Sequence, residues 1–241
     1  MNNRPNATEV QSLFNRIAPV YDDLNQWLSL GQHRIWKVMA VKWAHPQPGD
    51  RGLDLCCGSG DLARLLAKAI GPSGSVVGID FAAAQLRIAQ ERSTLLCPQL
   101  TFDWVEGDVL ALPFASNTFD CATMGYGLRN VVDIPRALQE IHRVLKLGAK
   151  VAILDFHRPS QAVLQHFQSW YLDQVVVPLA RRLGLSDEYA YIAPSLARFP
   201  VGTAQVQMAL EAGFQEAVHY PTAGGLMGVL VATKGNQAAQ T

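Results

Sequence analysis

The sequence predicts an α/β fold: a seven-stranded, mostly parallel sheet with an antiparallel last strand, helices on both faces and a helical cap at the N-terminus. Three observations carry that expectation. A breaker cluster, HPQPGDRG (His45–Gly52), delivers the chain into a strand. From there to Phe156, strand-length runs rich in Val, Ile, Leu and Phe alternate with helical runs, the signature of right-handed βαβ units buried on both sides. Near the end, two further strand runs are joined by a short Gly-rich turn, so the last strand should run antiparallel.

Element by element, polar sequence gives way near Val10 to a helical pattern, and a second pattern runs from about Trp27 to Trp43. The five strand runs are GLDLC, SVVGID, LTFDWVE, FDCATMG and KVAILDF, separated by the helical DLARLLAKAI, AAAQLRIAQER and DIPRALQEIHRVLK. After Phe156 a long helical stretch from about Ser160 to Leu183 precedes SDEYAYIAPSLARFPVG, read as loop and short helix. Then come helix TAQVQMALEAG, strand FQEAVHYP, turn TAGG and strand LMGVLVATK. No repeat or long linker interrupts the chain. It reads as one domain over 1–241, with a helical cap at 1–45, a ligand-binding core at 46–157 and substrate-side helices plus hairpin at 158–241.

Composition narrows the function. With 241 residues, 49% of them apolar, the chain can bury a real core. Lys plus Arg and Asp plus Glu number 20 each, so no basic surplus points to nucleic acid. No window reaches the roughly 18 consecutive apolar residues that span a bilayer, and the first ten residues lack an apolar signal core. The expectation is a cytoplasmic protein, with contact at a membrane surface left open. Cys56, Cys57, Cys97 and Cys121 form no C-x-x-C pair, and the histidines show no metal-binding spacing. No metal is expected, and the cysteines read as reduced core thiols.

The stretch LDLCCGSGDLA (Leu53–Ala63) places a Gly-rich turn between the first parallel strand and its helix. Gly58, Ser59 and Gly60 would let a ligand approach the backbone, with the helix N-terminus behind. Asp80 ends the second strand about 20 residues on, where a carboxylate can accept from both ribose hydroxyls. That implies an adenosine-containing ligand. Gly58-x-Gly60-x-x-Ala63 also satisfies a loose dinucleotide fingerprint, but no lysine of the chain has a tyrosine four residues before it, as a reductase relay would need. Asp108 ends the third strand, placed to accept from an adenine amino group, with Phe81 and Val109 as flanks for the ring. Gly125 ends the fourth strand and is small enough for a methionyl group to lie over it. Jointly these fit S-adenosyl-L-methionine. The plainer alternative makes Asp108 a turn residue and Val109 core.

This part of the chain resembles the Rossmann-like class I S-adenosylmethionine-dependent methyltransferases. The resemblance extends further: YDDLNQWLSLGQHRIW (Tyr21–Trp36), GLRNV (Gly127–Val131) and RVLK (Arg143–Lys146) are similar to signatures of the ubiquinone/menaquinone biosynthesis C-methyltransferase family. Cys56 replaces the first glycine of the family's D-x-G-x-G-x-G loop, and ILDFH (Ile153–His157) replaces a Glu-containing strand end. These departures resemble the cyanobacterial and plastid branch, which implies 2-phytyl-1,4-naphthoquinol as substrate in phylloquinone biosynthesis. Demethylmenaquinone and 2-methoxy-6-polyprenylbenzoquinol are same-family alternatives; a non-catalytic, cofactor-binding assembly partner is the alternative of another class.

Methylating such a ring needs the electron-rich quinol. Loss of a phenolic proton, ordinarily near pKa 10, calls for a base or an anion-stabilising donor. Arg129 and Asn130, just after the fourth strand, are candidates to hold the phenolate oxygen or a water. His33 is the candidate proton acceptor, and Tyr21 could orient either ligand. Asp155 and His157, closing the fifth strand, are further candidates to meet the ring. In the purely structural alternative, His33 bonds a backbone carbonyl and Arg129 pairs with Asp133 or Glu140. The prenyl tail of the lipid substrate needs an apolar route, for which Leu13–Ile17, Trp27–Trp43 and Leu164–Val177 carry aromatics at helical spacing. Arg181 and Arg182 would then lie near a peripheral membrane contact.

Overall fold

The computed structural model describes residues 32–157 and 192–235, with the single positions 159, 170, 174 and 178. In chain order the elements are α1 (His33–Ala44), β1 (Arg51–Leu55), α2 (Asp61–Ile70), β2 (Ser75–Asp80), α3 (Ala83–Leu96), β3 (Thr101–Glu106), β4 (Phe119–Gly125), α4 (Ile134–Val144), β5 (Leu145–Phe156), α5 (Ile192–Arg198), α6 (Gly202–Glu211), β6 (Glu216–Thr222) and β7 (Met227–Thr233). A 3₁₀ turn over Leu128–Asn130 follows β4. Tyr21, Arg181, Arg182 and most of the stretches assigned to the cap and the lipid route lie outside the described residues.

The seven strands form one sheet in the order β3-β2-β1-β4-β5-β7-β6. The first five of that row are parallel, and β7 runs antiparallel to both β5 and β6, as the Gly-rich turn implied. Side chains alternate along each strand, so one set faces each helical layer. Leu53 and Leu55 of β1, Ala122 and Met124 of β4 and Val151 and Ile153 of β5 join Leu138 and Ile141 of α4 in one core. Cys121, Ala152 and Leu154 face the other way, against Ala40 and Val41 of α1 and Leu62, Leu66 and Ile70 of α2. Each such fully buried Leu or Ile stabilises the fold by about 1.5–3 kcal/mol relative to exposure.

Two differences from the sequence reading have local causes. Helix α4 stops at Val144 rather than running to Lys146, because Leu145 is extended, fully buried and paired with Phe119. The end is capped from far away: Lys234 Nζ donates to the carbonyl oxygens of His142 and Leu145 at 2.8 Å each and to Asn117 Oδ1 at 2.9 Å. The second difference concerns α1. It packs across β4 and β5 as part of a sheet-covering layer, with Ala40, Val41 and Ala44 buried.

Candidate functional site

The strand order reverses between β1 and β4: the chain leaves β1 for β2 on one side and returns to place β4 on the other. Neighbouring connections therefore diverge beyond the C-terminal ends of these strands and leave a crevice. A cleft of about 1090 Å³, its open mouth included, lies there. Its walls are the loop Cys56–Ser59, Asp80–Phe81, Gly107–Leu110, Gly125–Gly127 and Asn130–Val132, with Lys37, Asp54, Asp61, Leu62, Ile79 and Gln85. Among the described lining residues the charged groups are four carboxylates (Asp54, Asp61, Asp80, Asp108) and one ammonium (Lys37).

The loop after β1 is pinned at both ends. Cys57 N–H donates to the Ile79 carbonyl at 3.0 Å, and Gly60 N–H donates to the Cys57 carbonyl at 2.9 Å. Gly58, at φ +52°, has a single atom within 4 Å of where a Cβ would stand, Gln85 Oε1 at an ordinary contact distance of 3.9 Å. This is the bare cradle that a close-approaching ligand needs. Asp80 braces it: Oδ2 accepts from Gly58 N–H at 2.8 Å and Oδ1 from Ala82 N–H at 2.9 Å. Burial pushes the Asp80 pKa up, against the pull of those backbone donors. Gly60 differs. At φ +80° it opens α2, it does not line the cleft, and a Cβ there would meet Trp104 at 2.8 Å. Its missing side chain serves the turn and the packing. Burial drives both Cys56 and Cys57 thiols well above their ordinary pKa, so each is a neutral packing group.

Ser59, Phe81, Asp108, Val109 and Gly125 all line the cleft. Asp108 Oδ1 accepts from Leu110 N–H at 2.9 Å, so it is a turn residue and a wall residue at once. The space of the missing side chain at Gly125 is taken by Leu62 of α2, whose Cδ1 would stand 2.5 Å from a Cβ, while the backbone lines the cleft.

Three charged wall residues, Asp54, Asp61 and Lys37, escaped the sequence reading. Asp54 is fully buried; its Oδ1 accepts from Thr123 Oγ1 at 2.8 Å. Its Oδ2 makes no hydrogen bond among the described residues, the Ala63 N–H lying near enough only to ease the charge. Burial raises its pKa from 3.8 to about 7. A half-satisfied carboxylate on a cleft wall is a site for a cation. Lys37 reaches the cleft from α1, its Nζ 2.8 Å from Asp61 Oδ2, and Arg64 pairs with the same carboxylate. For Asp54 a signal existed, since it opens the D-x-G-x-G-x-G pattern; for Lys37 there was none.

Of the candidates for proton chemistry, Asn130 lines the cleft and Arg129 does not. The Arg129 guanidinium is buried. Nε lies 3.3 Å from Asp155 Oδ1, Nη1 donates to Ser195 Oγ at 3.0 Å and to Asn130 Oδ1 at 3.3 Å, and the group sits over the Phe156 ring. Its backbone N–H also donates to Asp155 Oδ2 at 3.1 Å. The partner is thus Asp155, and not Asp133 or Glu140: Asp133 caps α4, and Glu140 is paired with Arg143. Burial raises the Asp155 pKa while Arg129 pulls it down. His33 is buried on α1, and the His157 ring packs at a tilt against His219 with centroids 4.9 Å apart; neither lines the cleft. Among the described residues no group of three or more His, Cys, Asp or Glu could hold a metal, and no helix is long and apolar enough to cross a membrane.

Residues 2–234 match the profile of the ubiE/COQ5 methyltransferase family. The chain belongs to that family. It is 62% identical over 228 residues to the 2-phytyl-1,4-naphthoquinone methyltransferase of a Nostoc species, covering 95% of this chain and 100% of that one. It is 51% identical over 230 residues to the chloroplastic 2-phytyl-1,4-beta-naphthoquinone methyltransferase of Arabidopsis thaliana, covering 95% and 88%. Solved structures share the fold: a SAM-dependent methyltransferase from Aquifex aeolicus at TM-score 0.63 and 16% identity over 88% of this chain and 97% of that one. The [4+2]-cyclase SpnF aligns at TM-score 0.63 and 18% identity over 96% and 97%. A cyclase on this scaffold shows that the fold alone does not name the reaction; the family assignment makes this chain a methyltransferase.

Proposed function

We propose that this methyltransferase places the methyl group of S-adenosylmethionine on a ring carbon of reduced 2-phytyl-1,4-naphthoquinone, giving phylloquinol. The observation that carries the reading is the open backbone at Gly58, braced by Asp80 and flanked by a half-satisfied Asp54, in a carboxylate-rich cleft. Such a cleft fits a ligand that is a nucleoside and a polycation together. Asp80 keeps lone pairs for ribose hydroxyls, Asp108 takes the adenine amino group, Phe81 and Val109 flank the ring, and Asp54 holds the ammonium. Bound there, S-adenosylmethionine supplies an electrophilic methyl group.

The chain's own part is to bind and orient the quinol and to stabilise its phenolate. Asn130 Nδ2 donates to the Tyr126 carbonyl at 3.2 Å while Oδ1 accepts from Arg129. One of its two N–H donors is thereby fixed, and the other is the donor for the phenolate oxygen. Arg129 is a positioning residue: tied to Asp155 and Ser195, it orients the Asn130 amide. Since His33 stands off the lining, the phenolic proton and later the ring C–H proton leave to water at the open mouth. Tyr126, Val131 and Val132 give the ring an apolar wall. The names of the relatives support the naphthoquinone head group, and a substrate with a phytyl chain favours work at a membrane surface.

The test is transfer of radiolabelled methyl from S-adenosylmethionine to reduced and oxidised 2-phytyl-1,4-naphthoquinone. Label should enter the reduced ring only. Equal labelling of the oxidised ring, or none of either, would overturn the reading.

A further inference from the structure

We propose that Lys37 recognises the carboxylate of the ligand's methionyl group and makes the cleft selective for the intact amino-acid sulfonium over its decarboxylated counterpart. The inference rests on the S-adenosylmethionine reading above and goes beyond it by assigning a residue from α1, outside the Gly-rich loop and the strand ends.

Charge bookkeeping points to Lys37. The ligand carries a sulfonium, an ammonium and a carboxylate. Among the described lining residues, four carboxylates stand ready for the two cations, and Lys37 is the one cationic side chain to answer the anion. A ligand carboxylate left unpaired in a cleft of like charge would be strongly disfavoured. Lys37 is 7% exposed, so its ammonium is held inside, not at the surface. Its electrostatic reach extends to Asp54, whose charge it eases. Ammonium and carboxylate of one amino acid sit on adjacent atoms, and Asp54 and Lys37 offer the two matching charges in one wall.

The existing pairing does not consume the side chain. An ammonium has three N–H donors, and one is spent on Asp61 Oδ2 at 2.8 Å. Asp61 is held independently by Arg64 one helical turn on. Lys37 can therefore bridge Asp61 and a ligand carboxylate without stranding either. Arg64 answers Asp61 Oδ1 and Lys37 answers Oδ2, so the carboxylate stays in place while the remaining Lys37 donors face the cleft's ligand.

Isothermal titration calorimetry of the wild type, Lys37→Met and Lys37→Arg with S-adenosylmethionine and with decarboxylated S-adenosylmethionine tests this. The wild type should bind the intact ligand about 10- to 100-fold more tightly than the decarboxylated one, the range for a charge-assisted contact. Lys37→Met should lose that preference by weakening only the intact ligand, its retained affinity for the decarboxylated one reporting a folded site. Lys37→Arg should keep the preference. Binding of both ligands without discrimination by the wild type, or equal weakening of both in Lys37→Met, would overturn the assignment of Lys37 alone. Failure of the wild type to bind either ligand would overturn it together with the functional reading.

Discussion

The two rims of the sheet treat charge in opposite ways. At the N-terminal rim of the parallel strands, every charged group described above is spent on the protein itself. Lys234 fills its three donors with His142, Leu145 and Asn117, and Lys146 pairs with Asp120 at 2.7 Å while Asp120 also accepts from Arg51 N–H. At the C-terminal rim, Asp54 keeps an oxygen without a hydrogen bond, Asp80 meets only backbone donors, and Lys37 holds donors beyond Asp61. A saturated rim stabilises the fold. An under-saturated rim leaves binding capacity at a cost to the ligand-free protein, which is how a site is distinguished from scaffold. The β5 end of the same rim stands between them: Arg129 and Asp155 form a buried ion pair in which Arg129 Nε makes no hydrogen bond, and Arg129 meets the cleft through Asn130.

Substitutions at the two rims should separate along that line. Asp80→Ala, at the open rim, should weaken S-adenosylmethionine about 10- to 100-fold by calorimetry, from loss of charge-assisted bonds worth roughly 1.5–3 kcal/mol. Unchanged affinity would remove Asp80 from the site. Lys234→Met, at the saturated rim, should cost about 2 kcal/mol and lower Tm by roughly 4–8 °C in a chain of this size, with ligand affinity unaltered. A binding defect without a stability defect would break the contrast between the rims.

A smaller effect is the pH response of Asp54. Its folded pKa is raised to about 7, so below that pH the group is protonated and offers a ligand cation nothing. Affinity for S-adenosylmethionine should rise about tenfold from pH 5.5 to 7.5 in the wild type and stay flat in Asp54→Asn. The same sign makes ligand-free stability fall between about pH 4 and 7 through this group, because the unfolded chain releases the proton first. Asp54→Asn should remove that slope in thermal melts. Smallest of all, Lys146→Ala breaks a half-exposed pair and should cost no more than about 1 kcal/mol.

Much of the fold was legible because the strands are short apolar runs between glycines and the helices carry clear stripes; α2 matches the helical run DLARLLAKAI residue for residue. The start of β5 was not. Leu145 reads as the tail of a helix until Phe119 pairs with it and Lys234 caps the turn before it, and both partners are remote in sequence. The site divides in the same way. Gly58, Asp80 and Asp108 are visible because strand-end spacing in a parallel sheet sets their place. Gly58 and Gly60 look alike in the sequence, but only packing shows that Trp104 fills the space beside Gly60 while Gly58 meets no more than Gln85 at 3.9 Å. The partner of Arg129 was hidden because Asp155 lies 26 residues on, at the end of the neighbouring strand. Lys37 was hidden because α1 meets α2 only in the folded chain.

The most direct measurement is a crystal structure with S-adenosylhomocysteine bound. The nucleoside should lie against Gly58 with its ribose hydroxyls on Asp80. Density for the nucleoside anywhere else on the sheet, with the Gly58 cradle empty, would contradict the account.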